Sequence, residues 1–301
     1  MLDHPLPDLG NWVAFFSAQE LPVLRHTQRQ LQIARENIDT VNGKDITRIV
    51  LQDPLLAARV LAYIQPLTRR ARLRHDVTTI AGAIMMLGIN TFFKRFDHLA
   101  TLEDQLRNEP PQALLGALQA VRRCQQAAHY AYEWAVWRLD VNVEEVALAA
   151  LLHDLAEILI YAFTPRLALD IRDRQQRDPA LRSLTVQREI LGGFTAQDIK
   201  TALYKAWHLP ELLLQLVDDQ DSEQPRVSNV RLAVNLARHL AQQGWQNAAL
   251  PDDLKAIAKL LNLSEEALSL RLGLSAPVED QTVQSARKTN LQITRTTSAS
   301  E

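Results

Sequence analysis

This chain has little cysteine, little glycine and no marked charge of either sign. The one cysteine, Cys124, excludes an internal disulfide and fits a reducing compartment. Nine glycines stand against 13 prolines in a chain rich in Leu, Ala, Gln, Arg and Glu, a balance that favours helices over strands. A net charge of −2 supplies no global field for nucleic acid or anionic membrane. The opening residues Met1-Leu2-Asp3-His4-Pro5 carry no basic region before an apolar run, so no signal peptide is read. No apolar run is expected to span a bilayer, and the expectation is a cytoplasmic protein without membrane contact. No glycine-rich phosphate loop, no fixed-period repeat and no nucleophile motif around a serine or cysteine occurs.

What is present is helical patterning. With 301 residues, 47% of them hydrophobic, the chain suffices for one large domain or two modest ones. Residues 11–36 read as helix, restarted at Pro22. Asp53-Pro54 opens a helix whose apolar residues Leu56, Val60 and Ile64 recur every four positions, and Pro66 is expected to end it. Residues 112–138 form a long amphipathic stretch ending in Tyr130, Tyr132, Trp134 and Trp137, read as core. Residues 143–163 read as a single, strongly apolar helix. Thr164 and Ser183 are expected to cap helices, and Thr195 with Asp198 to form a capping box. Residues 254–272 have the outline of a helix-turn-helix, yet the second helix opens with Glu265-Glu266, which repels phosphate. The fold class is therefore all-α. A lobe over residues 11–108 and a second over 112–275 are separated near Asn108-Glu109-Pro110-Pro111, and a Thr/Ser/Gln-rich tail over 276–301 reads as disordered.

Two features carry candidate chemistry. The basic cluster Arg69, Arg70, Arg72 and Arg74 is a contact patch for phosphate or an acidic partner, or simply a solvated loop. Without aromatic residues between its arginines, it gives nucleic-acid binding little support. The dyad His153-Asp154 lies inside the most apolar stretch of the chain. Two adjacent polar side chains there require hydrogen-bond partners or a ligand.

At this point the motifs resemble the HDOD domain, a bacterial signalling relative of the HD phosphohydrolases. The matching pieces run in order: Leu21-Pro22; Asp53-Pro54-Leu55 with Ala58-Arg59-Val60-Leu61; Thr79-Ile80 with Ala83-Ile84 and Leu87-Gly88; Leu151-Leu152-His153-Asp154-Leu155; and Trp207 with Leu209-Pro210. The resemblance implies an α-helical bundle and a role in signal transduction. In the HD superfamily a His-Asp pair helps to hold a divalent cation, which would activate water against a phosphoryl group. The other ligand positions would fall near Arg123-Cys124, Ala196, Gln220-Asp221 and Asn235, among which Asp221 is a weak third ligand and neutral Asn235 a poor one. Arginine cannot ligate a cation.

These readings lead to a non-catalytic regulatory module with a degenerate metal site and no cofactor. Arg123 is the expected partner that replaces the ion on Asp154. The resemblance implies a signalling partner in trans: a response regulator, a kinase or a cyclic-di-GMP turnover protein. A metal-dependent nucleotide phosphohydrolase is the alternative, and a nucleic-acid-binding regulator the second. Oligomeric state is not readable.

Overall fold

The computed structural model describes residues 2–70, 76–96, 99–178, 181–218 and 224–274, with the Arg70 side chain left out. Among the described residues all regular structure is helical, with a single isolated parallel bridge between Val23 and Thr101. The chain begins with α1 (Leu9–Ser17), α2 (Arg25–Glu36), α3 (Gly43–Val50), α4 (Pro54–Arg70), α5 (Ile80–Leu87), α6 (Ile89–Arg95) and α7 (Leu102–Gln105). It continues through α8 (Pro111–Trp137), α9 (Val143–Leu152), α10 (Leu155–Phe163), α11 (Pro165–Arg177) and α12 (Ser183–Ile190). Then come α13 (Ala196–Ala206), α14 (Glu211–Leu216), α15 (Pro225–Gln243), α16 (Leu250–Leu261) and α17 (Glu265–Arg271). Among the described residues, those up to 247 form one packed unit and those from 248 to 274 a second.

The long helix α8 is the spine of the first unit. Its buried face is built from small residues, among them Ala113, Gly116, Ala117, Ala120, Ala127 and Ala131. Short side chains let neighbouring helices approach closely, and α9, α10 and α15 pack along it. Gly116 meets the ring of Tyr161 from α10, where an added Cβ would lie 2.4 Å from ring carbon Cε1. Packing also crosses the Pro110-Pro111 punctuation: α4 touches both α8 and α9, and Thr78 Oγ1 donates to Glu145 Oε1 at 2.6 Å.

Several helix ends follow their sequence signals. Thr195 and Asp198 make a reciprocal capping box, as do Asn42 and Asp45. In the second unit α16 stops at Asn262, whose φ of 53° is left-handed, and Ser264 caps α17 through the Ala267 N–H. Other ends differ from expectation. Helix α4 runs through Pro66 to Arg70. Gln65 before the proline and Thr68 after it are both buried; Thr68 Oγ1 donates to the Gln65 carbonyl, and Gln65 Nε2 to the Val77 carbonyl. Ser183 is the first residue of α12 and not its cap; its hydroxyl accepts from Gln175 Nε2 at 2.6 Å. Thr164 precedes α11, but its hydroxyl donates back to the Ile160 carbonyl. The aromatic group at the end of α8 is mixed: Trp134 is wholly buried, whereas Tyr132 is 46% exposed.

The span Val143–Phe163 corrects the reading of apolar runs. By length and composition, with a mean hydropathy of 1.8 over its window, it is apolar enough to cross a membrane. It is 89% buried inside the protein and is broken in its middle.

Candidate functional site

That break is where the dyad sits. Helix α9 ends at Leu152 and α10 begins at Leu155, so His153 and Asp154 form the turn between them. Asp154, at φ −101° and ψ 20°, has left helical geometry. In an unbroken helix adjacent side chains diverge by about 100° and do not meet. The break allows His153 Nδ1 and Asp154 Oδ1 to pair at 2.9 Å. Both residues are buried.

The Asp154 carboxylate has a second partner. Arg238 reaches it from α15, with Nη2 donating to Oδ1 at 2.5 Å and Nε to Oδ2 at 3.2 Å. This is the forked geometry in which a guanidinium matches a carboxylate. Burial pushes the Asp154 carboxyl up, but the Arg238 charge and the His153 contact outweigh it and hold the group well below the usual carboxylate range. Asp154 is therefore an anion at neutral pH.

Arg123, expected on Asp154, instead pairs with Glu157 at 2.6 Å, one turn further along α10. Its charge interacts with Asp154, but Asp154 gets its hydrogen-bonded cation from Arg238. Beneath the turn, burial pushes the Cys124 thiol far up, and the Asp154 carboxylate pushes it the same way. The Tyr204 hydroxyl from α13 donates to the Leu152 carbonyl, the last residue of α9.

The remaining motif residues form the supporting architecture. Asp53 is fully buried and accepts from three backbone N–H groups: Leu24 at 2.8 Å, Leu55 at 2.9 Å and Leu56 at 3.2 Å. It caps α4, with Pro54 at the first helical position, and also fixes the start of α2. Arg59 donates to the Leu21 carbonyl at 2.7 Å and pairs with Glu20, so the Leu21-Pro22 and Ala58-Arg59 pieces meet in space. Trp207 Nε1 donates to Ser17 Oγ at 3.1 Å, which joins the end of α13 to α1. His208 takes a φ of 56°, and the chain enters α14 through buried Leu209 and Pro210.

The HDOD domain family matches residues 21–223, two thirds of the chain. This protein belongs to the HDOD family. Its fold is shared with the MmoQ response regulator from Methylococcus capsulatus, at 18% identity and a TM-score of 0.63, with 86% of this chain and 99% of that one covered. A virulence factor from Campylobacter jejuni is also similar, at 16% identity and a TM-score of 0.60, with 89% and 93% covered. No curated protein matches the chain significantly.

The HD pair of this HDOD chain does not fit a metal centre. Among the described residues no group of three or more His, Cys, Asp or Glu side chains is placed to hold an ion. A cation on Asp154 would have to displace a guanidinium already bound through two hydrogen bonds. The position near Arg123-Cys124 offers an arginine and a protonated thiol. The weak third donor, Asp221, lies outside the described residues, as do Arg72, Arg74 and the tail over 276–301. Arg69 is exposed and Arg70 closes α4, so the basic patch is described only at its first two positions.

Sequence reading missed Arg238, and a signal for it existed. It stands directly after buried Leu236 and Ala237 in a helix whose buried face is mostly Val, Leu and Ala, where a charged residue needs a partner. It also lies three residues beyond Asn235, one helical turn from the position considered for a final ligand. Lys200 was missed too. It is 1% exposed, and its ammonium donates to the Val217 carbonyl at 3.0 Å.

Proposed function

We propose that this HDOD protein is a non-catalytic regulatory module of bacterial signal transduction that acts in the cytoplasm by binding a protein or a small ligand. The observation that carries this reading is the Arg238–Asp154 clamp. A side chain stands where the superfamily's chemistry would need an ion, and the carboxylate that would hold the ion is already neutralised. Family membership and the fold shared with a response regulator support a signalling role. The partner, by this reading, is a response regulator, a kinase or a cyclic-di-GMP turnover protein supplied in trans, and no cofactor takes part.

The test is elemental analysis of purified full-length protein beside its His153→Ala variant, with phosphohydrolase assays on nucleotides. The expected result is manganese, iron and nickel far below one per chain in both, and no turnover. Stoichiometric metal that disappears in His153→Ala would overturn the reading in favour of a phosphohydrolase.

A further inference from the structure

Helix α8 ends under strain. The Asp140 N–H donates to the Ala135 carbonyl at 2.9 Å and the Leu139 N–H to the Val136 carbonyl at 3.0 Å, the pair of bonds that closes a helix through a left-handed residue. Glycine usually holds that place, because it has no Cβ to strain. Here the residue is Leu139, at φ 56°. The leucine gains no cover in return: Leu139 is 89% exposed, and Val141, two residues on, is 90% exposed. The turn is nevertheless braced. Arg226 grips Asp140 with two bonds, the Asn142 N–H donates to the same carboxylate at 3.0 Å, and Arg138 donates to the Pro225 carbonyl at 3.1 Å. A strained, braced turn that holds two branched apolar side chains in water fits a surface that another molecule covers.

The same side of α8 carries a recess of matching character. A cavity of about 530 Å³ opens between α8, α9 and the start of α2, with Ala128, Ala147 and Leu151 as its floor. Exposed His129 and Tyr132 also line it. Its volume is in the range that takes in small molecules, ample for two aliphatic side chains. Gln125, His129, Tyr132 and Val136 succeed one another at three- and four-residue spacing, so they form one stripe of α8 that leads from the cavity to Leu139. No Asp, Glu, Lys or Arg stands on this stripe or lines the cavity. Glu133 flanks it, with its carboxylate 3.7 Å from His129. From Ala128 to Leu139 the recess and the exposed turn are about 16 Å apart along the helix.

We infer that this stripe is the contact between two copies of the chain. An antiparallel pair of α8 helices, with its two-fold axis level with residue 134, sets Leu139 of each copy over the cavity of the other. Val141 lies beside it, and Tyr132 of each copy meets Val136 of the other. Such a contact is self-complementary, so one docking is made twice. A small guest would fill the cavity and leave Leu139 and Val141 bare, whereas a second copy covers both, and no charge on the stripe opposes it. A strip about 24 Å long and about 20 Å wide offers about 500 Å² on each copy, about 1,000 Å² in the pair, the size of a weak, reversible specific contact. The inference goes beyond the regulatory role and does not rest on the Arg238–Asp154 clamp.

Sedimentation equilibrium of the full-length protein, from about 5 to about 300 µM, is the first test. A reversible dimer with a dissociation constant on the order of 10–100 µM is expected. Leu139→Glu and Val141→Glu change side chains that make little contact within their own chain, and each should weaken the dimer by about tenfold or more. Leu139→Gly decides why the leucine is there. At about 1 µM, where the chain is monomeric, it should raise the melting temperature by relieving the left-handed strain, yet it should weaken the dimer by about tenfold. A lowered melting temperature would show that Leu139 serves its own chain and overturns the inference. The short cross-linker bismaleimidoethane reads the register. Leu139→Cys and His129→Cys proteins should couple when mixed, and neither should couple alone, because like positions lie about 15 Å apart along the paired helices. Cys124 is buried and takes no part. Self-coupling of Leu139→Cys, or no coupling in the mixture, overturns the arrangement. A wild type that stays monomeric at about 300 µM, or a dimer indifferent to Leu139→Glu, overturns the contact and leaves the stripe to a different partner. Metal content reports on the proposed function alone, so the two readings fail separately.

Discussion

Arg238 and Asp154, 84 residues apart in sequence, share two hydrogen bonds, Nη2 to Oδ1 and Nε to Oδ2. They join α15 to the turn between α9 and α10. The carboxylate is buried, whereas the Arg238 side chain is 40% exposed. Removal of the arginine therefore leaves a buried anion with the His153 contact and the more distant Arg123 charge to compensate it. Arg238→Met should destabilise by about 1–3 kcal/mol, below the 3–5 typical of a fully buried pair. Asp154→Asn with Arg238→Met should cost less than the two single changes added together. Urea melts of the four proteins check this, and strict additivity would show that the clamp contributes no coupling.

Arg123 gives the comparison. Its partner Glu157 is 39% exposed, and its loss strands no wholly buried charge. Arg123→Ala should cost about 0.5–1.5 kcal/mol, less than Arg238→Met. A larger loss at Arg123 than at Arg238 would mean that the wrong arginine has been assigned to the dyad.

The thiol of Cys124 is 2% exposed and is pushed up by burial, with the nearby carboxylate acting in the same direction. A raised pKa means less thiolate than free cysteine at every pH near neutrality, and the thiolate is the nucleophile. Native protein at about pH 8 should therefore react with iodoacetamide at least about a hundredfold more slowly than the urea-unfolded chain. Mass spectrometry of the alkylated protein reads the difference. Comparable rates would place Cys124 at an open surface.

Asp140 takes a bidentate contact from Arg226, at 2.6 and 2.9 Å. Burial pushes its carboxyl up, yet the Arg226 contact leaves it below the usual value. A carboxyl lowered on folding contributes stability above its unfolded pKa and loses that contribution as pH falls through the folded one. The protein should lose stability between about pH 5 and pH 3, and Arg226→Gln should flatten that slope. Parallel slopes in the two proteins would remove Asp140 as a source.

Gly116 lies against Tyr161, and a Cβ there would sit 2.4 Å from Cε1 and 2.5 Å from Cζ. Gly to Ala in a helix interior ordinarily gains about 1 kcal/mol. Overpacking a buried contact costs about 1–3 kcal/mol. Gly116→Ala is expected to lower the melting temperature, and Gly116→Ala with Tyr161→Leu to recover it. A raised melting temperature in the single variant would show that the Tyr161 ring swings aside.

Much of the helical framework was legible because its signals are local. The capping box at Thr195 and Asp198, the Ser264 cap and the extent of α8 all follow from residues within a few positions of one another. Pro66 misled because a proline removes one hydrogen bond, while the Thr68 hydroxyl bonds back across it to the Gln65 carbonyl and Gln65 itself is tied to the Val77 carbonyl. The break at His153-Asp154 was hidden in an uninterrupted apolar pattern. It is tied to a charge on α15 and to Tyr204 on α13, neither of which sequence periodicity can bring near. The dyad itself was visible. Its partner was not, since either arginine suits a buried carboxylate and the choice between Arg123 and Arg238 depends on how three helices pack.

Asp53 has a consequence for how this sequence can change. Its two carboxylate oxygens accept from three amides at the starts of two helices: Oδ2 from Leu24, and Oδ1 from Leu55 and Leu56. Asparagine keeps one acceptor and turns the other position into a donor that faces a donor. Serine reaches one side at most. Glutamate adds a methylene where the site has no room, the residue being 0% exposed. Each of the chemically closest replacements sacrifices at least one helix start, so drift at this position has no gentle intermediate, and the Asp-Pro step is fixed by geometry before any ligand is considered.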